Sequence, residues 1–150
     1  MGQIMNFKVE GKGTGMRLDA AAGKHTIAID EPVSLGGKDS AIDPLSAFLS
    51  SLIACENVMA QLISQEMKFD LQGISFDVEG DLDMAGLMGD PTVKPYFQHV
   101  KVKAVVETSE QQERIDELQK AVDQRCPVFR TLKDAGIRVE NQWVKAVISV

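Results

Sequence analysis

The chain has 150 residues, of which 44% are hydrophobic and 25% charged, and its formal net charge is −6. That is enough apolar content for one core, so a single domain over 1–150 is expected, with no disulfide or metal staple required. The acidic balance, 16 Lys plus Arg against 22 Asp plus Glu, argues against a nucleic-acid face and against an anionic membrane surface as partner.

In chain order, Phe7-Lys8-Val9-Glu10 and Thr26-Ile27-Ala28-Ile29 read as strands, separated by Gly11, Gly13, Gly15 and Gly23. Gly36-Gly37 marks a loop. Asp43-Pro44 is a helix start, with Asp43 as cap and Pro44 at the first helical position. From Pro44 to about Lys68 nothing breaks a helix. Phe48, Leu52, Cys55, Met59 and Leu62 share one face, and Ala47, Leu49, Ile53, Ala54, Val58 and Ile63 make the rest apolar as well. A helix apolar nearly all round is buried, and a second copy of the chain is expected to cover it.

Ile74, Phe76 and Val78 alternate with polar residues, as do Val100, Val102 and Ala104, the period of half-buried strands. They read as an antiparallel pair around an irregular excursion from Asp83 to Tyr96. Ser109 followed by Gln112 is a capping-box pattern opening a second helix, with Ile115, Leu118, Val122 and Cys126 on its inner face. Pro127 ends or kinks that helix at Cys126. A helical turn at Thr131-Leu132 and a last strand from about Ile137 to Val150 complete an α+β order.

No apolar run is expected to reach the roughly 20 residues of a membrane helix, and Met1–Asn6 lacks the basic and apolar pattern of a secretory signal. The two cysteines, Cys55 and Cys126, stand 71 residues apart, too few and too far for a disulfide scaffold. A cytoplasmic protein is expected. Taken alone, cysteines on inward faces are core residues. No His/Cys spacing fits a zinc site, and no metal is expected.

Specific residues carry more. Gly23-Lys24-His25-Thr26-Ile27-Ala28-Ile29-Asp30-Glu31-Pro32, then Gly36-Gly37, then Asp43-Pro44 with Ala54-Cys55 eleven residues after the proline, resembles the OsmC/Ohr family. Arg125-Cys126-Pro127-Val128 near the end does so too. The resemblance covers nearly the whole chain. It implies an intertwined homodimeric α+β fold with active sites at the dimer interface, and thiol-dependent reduction of organic hydroperoxides. It implies Cys55 as peroxidatic cysteine, Cys126 as resolving cysteine and Arg17 as the active-site arginine. No cofactor is implied beyond an external dithiol reductant.

The apolar neighbours Phe48, Leu52 and Phe129 suit an alkyl or aryl hydroperoxide as substrate. One departure stands out: the family's peroxidases carry a Glu one or two residues after the helix-opening Pro, and here those positions are Leu45 and Ser46. Arg17 is therefore expected to be mobile, or held by Asp39, Asp43 or a carboxylate of the other subunit. Glu56, about 100° round the helix from Cys55, is a poor substitute. The alternative is a non-catalytic member that binds an apolar small molecule at the dimer interface, with Cys55 lining the pocket. Arg125 and Arg130 are expected in surface ion pairs.

Overall fold

The computed structural model describes residues 2–147. It divides into two compact units, Met1–Phe48 and Leu49–Val150, and the boundary falls inside the long helix.

The first unit is a three-stranded antiparallel sheet of β1 (Glu10–Thr14), β2 (Arg17–Ala22) and β3 (His25–Ile29), in that order. Thr14 pairs with Arg17 and Ala22 with His25, so each connection is a two-residue loop. Gly15 and Gly23 open these loops at φ +61, the left-handed value that a tight hairpin places on glycine. This corrects the expectation of a strand over Phe7–Glu10: Gly11 and Gly13 lie within β1, and the glycine-rich stretch is itself strand. Of this sheet only Ala20 is buried; Leu18 and Ile27 remain 38% and 50% exposed.

A 3₁₀ turn, Val33–Leu35, and the Gly36-Gly37 loop lead to α1 (Pro44–Met67). The Asp43 carboxylate accepts from the Ser46 N–H at 2.8 Å, the expected cap at the expected place.

The second unit is a three-stranded sheet of β4 (Gly73–Asp81), β5 (His99–Glu107) and β6 (Arg138–Lys145), in that order. β4 and β5 are antiparallel in the expected way, while β6 runs parallel to β5. Parallel pairing needs a crossover, supplied by α3 (Gln112–Arg125) and α4 (Pro127–Asp134). The excursion between β4 and β5 holds one short helix, α2 (Met84–Leu87). Residues 148–150, the end of the expected last strand, lie outside the described residues.

The inner face of α3 is as expected: Ile115, Leu118, Val122 and then Cys126 have no exposed surface. They pack with Val100, Val102, Ala104 and Val106 of β5 in one core cluster. The start of α3 differs. Ser109 does not cap it; its hydroxyl donates to the Asp70 carboxylate at 2.6 Å, and the helix opens at Gln112. The competing acceptor draws Ser109 to the segment after α1.

β6 is an edge strand, whose free backbone groups need partners. Gln112 and Gln119, two turns apart on α3, provide them. Gln119 donates to the Asn141 carbonyl at 2.6 Å and accepts from the Trp143 N–H at 3.2 Å. Gln112 donates to the Trp143 carbonyl at 2.9 Å and accepts from the Lys145 N–H at 3.1 Å. Two amide side chains thus complete a ladder that a fourth strand would otherwise make.

α1 shows a more extensive correction. It is 24 residues long with a best-window mean hydropathy of 1.4, long and apolar enough to cross a membrane by those two measures, contrary to expectation. Its buried residues are Leu52, Glu56, Ala60, Ile63 and Ser64, a stripe rotated from the Phe48–Cys55–Leu62 face, and Leu52, Ala60 and Ile63 belong to the core cluster. Val58 and Leu62 stay 55% and 49% exposed.

Two substitutions check this packing. Leu118→Ala should lower unfolding free energy by about 2–5 kcal/mol through cavity formation. Gln119→Ala should cost about 1–3 kcal/mol, because it strands two groups of the β6 edge. Urea titration measures both, and an effect of Gln119→Ala no larger than that of a surface substitution would contradict the edge-ladder role.

Candidate active site

Cys55 lies midway along α1, partly buried against the core cluster; Cys126 sits between α3 and α4, fully buried. The residue before a proline is disfavoured in helical conformation, and Cys126 has ψ 115. α3 therefore ends there, and α4 begins with Pro127 at its first position, a full helix where only a turn was expected. The bend leaves the Cys126 thiol donating to Cys55 Sγ across 3.0 Å. Both cysteines are free thiols. Two thiols 71 residues apart in sequence are thus brought to within 3.0 Å of each other.

Burial raises the Cys126 thiol well above its ordinary value, and the hydrogen bond to Cys55 adds to this. The Phe129 backbone N–H, in the first turn of α4, acts the other way. Cys55 and Glu56, when ionised, add smaller upward pushes. Cys126 is thus held as a neutral thiol.

Glu56, the residue after Cys55, has no exposed surface. Its Oε1 accepts from Asn141 Nδ2 at 2.9 Å, and the same amide nitrogen donates to Asp123 Oδ1 at 2.7 Å. Trp143 Nε1–H donates to Asn141 Oδ1 at 2.9 Å and fixes the amide's orientation. Among the described residues, Glu56 Oε2 has no hydrogen-bond partner. Burial first, and the Asp123 charge second, raise the Glu56 carboxyl to about 8. Asp123 is raised as well, by burial.

Arg17 belongs to the first unit. Its Nη2 donates to Asp19 Oδ1 at 2.9 Å and its Nη1 to Ser40 Oγ at 2.7 Å. Ser40 in turn donates to Asp30 Oδ2 at 2.6 Å. Asp30 also accepts the backbone N–H groups of Glu31, Lys38 and Ser40. The Ser40 hydroxyl and those amides hold the Asp30 carboxyl down to about 2. Arg17 is therefore held neither by Asp39 nor by Asp43: its anchor is Asp19, on its own strand.

The apolar candidates separate. Leu52 is completely buried and Phe129 nearly so, both in the core cluster with Cys126; Phe48, the last residue of the first unit, is 41% exposed. Arg125 pairs with Glu66 through two bonds of 2.6 and 3.0 Å, and Arg130 pairs with Asp134, both as expected for surface ion pairs.

A family model described as OsmC-like protein matches residues 37–141. The chain belongs to the OsmC family. Solved structures show the same fold. An OsmC-like protein from Mycoplasma pneumoniae superposes with a TM-score of 0.81 at 17% identity, covering 98% of this chain and all of the other. An organic hydroperoxide resistance protein from Elizabethkingia anophelis gives 0.76 at 16% identity, covering 97% and 100%. The organic hydroperoxide resistance protein OhrB of Bacillus subtilis gives 0.63 at 18% identity, covering 93% and 98%. No curated protein matches the sequence.

In this OsmC-family chain, sequence reasoning missed Asn141, Asp123 and Trp143, and it did not see that Glu56 is buried. A signal existed for the last. Glu56 occupies the i+4 position between Leu52 and Ala60, and a carboxylate inside an apolar stripe is one that the fold has to accommodate.

Burial of Glu56 has a sign that can be checked. Below about pH 4.5 the carboxyl is protonated in both folded and unfolded chains and costs nothing. As pH rises toward 8 the unfolded chain gains a charge that the folded chain resists. Stability is lost across that interval and then levels off, by on the order of a few kcal/mol. Glu56→Gln should therefore raise the melting temperature more at pH 8 than at pH 5. Equal shifts at both would mean that Glu56 is ionised when folded.

Proposed function

We propose that the chain is a thiol-dependent peroxidase that reduces organic hydroperoxides and works as a homodimer. One observation carries the reading: two cysteines distant in sequence meet at 3.0 Å. The organic hydroperoxide resistance proteins among the structures of the same fold support it.

The thiolate of Cys55 attacks the distal oxygen of R–O–O–H. The O–O bond breaks, the alkoxide leaves and takes a proton as R–OH, and Cys55 becomes a sulfenic acid. Cys126 then attacks the Cys55 sulfur, the S–O bond breaks, and the Cys126 proton leaves with the hydroxyl as water. An external dithiol reduces the resulting disulfide and restores both thiols. No cofactor is required, and a reducing compartment such as the cytoplasm suits the cycle.

Arg17 supplies the cation for the peroxide oxygens and the Cys55 thiolate, with Asp19 and Ser40 fixing its guanidinium in place of the helix-start Glu. Phe48 offers apolar surface to the alkyl or aryl group of the substrate. Leu52 and Phe129 serve by packing with Cys126 in the core.

A homodimer is supported by the apolar surface that a single chain leaves bare on α1, β2 and β3, including Val58, Leu62 and Ile27. Obligate dimers bury roughly 2,000 Å² or more of such surface. Sedimentation at micromolar concentration should show a dimer, and Leu62→Asp should shift it toward monomer. A folded monomer of the parent protein would refute the assembly.

One equivalent of cumene hydroperoxide should consume both thiols of the reduced protein and form a Cys55–Cys126 disulfide. Cys55→Ser should abolish the reaction, and Cys126→Ser should stop at the sulfenic acid or oxidise further. Arg17→Ala should slow thiol loss by roughly tenfold or more. Mass spectrometry showing both thiols intact after a large excess of hydroperoxide would overturn the peroxidase and leave the second reading, a pocket for an apolar small molecule.

A further inference from the structure

The core of the second unit contains a carboxyl that the peroxidase cycle as written does not use. Glu56 is buried on the helix turn that carries Cys55, and its Oε2 has no partner among the described residues. Its charge, when present, acts on the Cys126 sulfur. From every element packed against it the facing groups can be named. α3 presents Asp123 and β6 presents the neutral Asn141 held by Trp143, while Cys126, at the α3–α4 junction, lies 3.0 Å from the sulfur of Cys55, the residue before Glu56. Lys133 of α4 acts on Asp123.

The surroundings suit an acid and not an anion. As a carboxylate, Glu56 would carry a full charge with a single neutral donor, Asn141, and the one cation nearby, Lys133, acts on Asp123 and not on Glu56. As the uncharged acid it leaves one hydroxyl, at Oε2, without a partner, a smaller cost than a buried charge. Asp123 and Asn141 both line an open cleft of about 470 Å³ between α3, α4 and β6, so the groups next to Glu56 are in contact with solvent.

We propose that Glu56 is a positioning residue for Cys126: held as the uncharged acid by Asn141 and Asp123, it keeps a like charge away from the resolving sulfur while the disulfide closes, and on losing its proton it slows that closure. The physical reason is direct. To attack, the Cys126 sulfur has to shed its proton and bear developing negative charge in a buried site, and a second negative charge there opposes this. Disulfide closure then has an upper pH limit set by a residue that touches neither substrate nor reductant. The inference rests on Cys126 as the thiol that closes the disulfide, but its test does not need a peroxide.

The experiment uses 5,5′-dithiobis(2-nitrobenzoate) on the reduced full chain. Cys55 sulfur attacks the reagent's disulfide, and one thionitrobenzoate leaves. Cys126 then attacks the Cys55 sulfur of the mixed disulfide, the second thionitrobenzoate leaves with the bonding electrons, and the Cys126 proton passes to solvent. The two releases are read as successive absorbance phases, and the second reports Cys126 alone.

In the parent protein the second phase should climb with pH and bend downward near pH 8, where Glu56 loses its proton. In Glu56→Gln it should keep climbing. The two should agree within about twofold near pH 6 and differ by about fivefold or more near pH 9.5, the variant being faster. The first phase should be common to both. Asp123→Asn, which removes a charge that raises the Glu56 carboxyl, should move the bend to lower pH and serves if Glu56→Gln does not fold. Superimposable second-phase profiles for the parent and Glu56→Gln, or an unmoved bend in Asp123→Asn, would overturn the proposal. Absence of thiol loss with cumene hydroperoxide, beside a normal second phase here, would sink the peroxidase and not this role of Glu56.

Discussion

Pro127 determines where the second thiol goes. It cannot continue α3, and it pushes the residue before it out of helical conformation. Cys126 consequently belongs to two helices at once: its N–H bonds the Val122 carbonyl of α3 at 2.8 Å, and its carbonyl accepts from Arg130 of α4 at 2.9 Å. With the backbone pinned on both sides and no exposed surface, the sulfur has little freedom. A thiol pair at 3.0 Å requires that restriction at one partner at least. A continuous helix through 126 would direct the same side chain by the 3.6-residue period alone.

The pinned thiol also defines the character of the core around it. Much of the second unit's core is aliphatic packing, joined by Trp143, whose ring meets Phe76 edge-on at 5.8 Å. Into it the chain places Glu56, Asn141 and Cys126, and the fold tolerates them because each is uncharged where it sits. Burial raises both the carboxyl and the thiol, and in each case the raised value preserves the neutral form. The Trp143 indole N–H completes the arrangement by fixing Asn141, so that both amide hydrogens go to carboxyl oxygens. Desolvation is thus the common cause of both raised values, and it holds Glu56 and Cys126 neutral in the interior.

Periodicity made much of this legible. The step of Ile115, Leu118, Val122 and Cys126 identified the inner face of α3, the alternation of β4 and β5 gave their pairing, and Asp43-Pro44 marked the start of α1. What periodicity could not give were the choices made by partners distant in sequence. Ser109 reads as a cap until Asp70 competes for its hydroxyl. β6 reads as one more strand, and nothing local says that it runs parallel to β5 with glutamines of α3 completing its edge. α1 was the hardest to orient, because an all-round apolar helix offers several faces of nearly equal hydrophobicity. The face buried in its own chain is the one that brings Glu56 to Asn141 and leaves Val58 and Leu62 bare.

In the proposed cycle, Arg17 takes its anchoring carboxylate from its own strand and not from the helix start. The family's helix-start Glu would bring a carboxylate to the arginine from another element, and Leu45 and Ser46 have none to offer. Arg17 and Asp19 are two apart on β2, and on a strand that spacing places both side chains on one face. The ion pair is therefore supplied by the strand's own geometry, whatever α1 carries at its start. By itself such an exposed pair is weak, and Ser40 makes the difference. It accepts from Arg17 and donates to Asp30, a carboxylate that is nearly fully buried and already held by three backbone N–H groups. The guanidinium is tied to a fixed anion through one hydroxyl. Its orientation depends on the loop from Glu31 to Ser40 that builds the Asp30 site, and no longer on the first turn of the helix that carries Cys55.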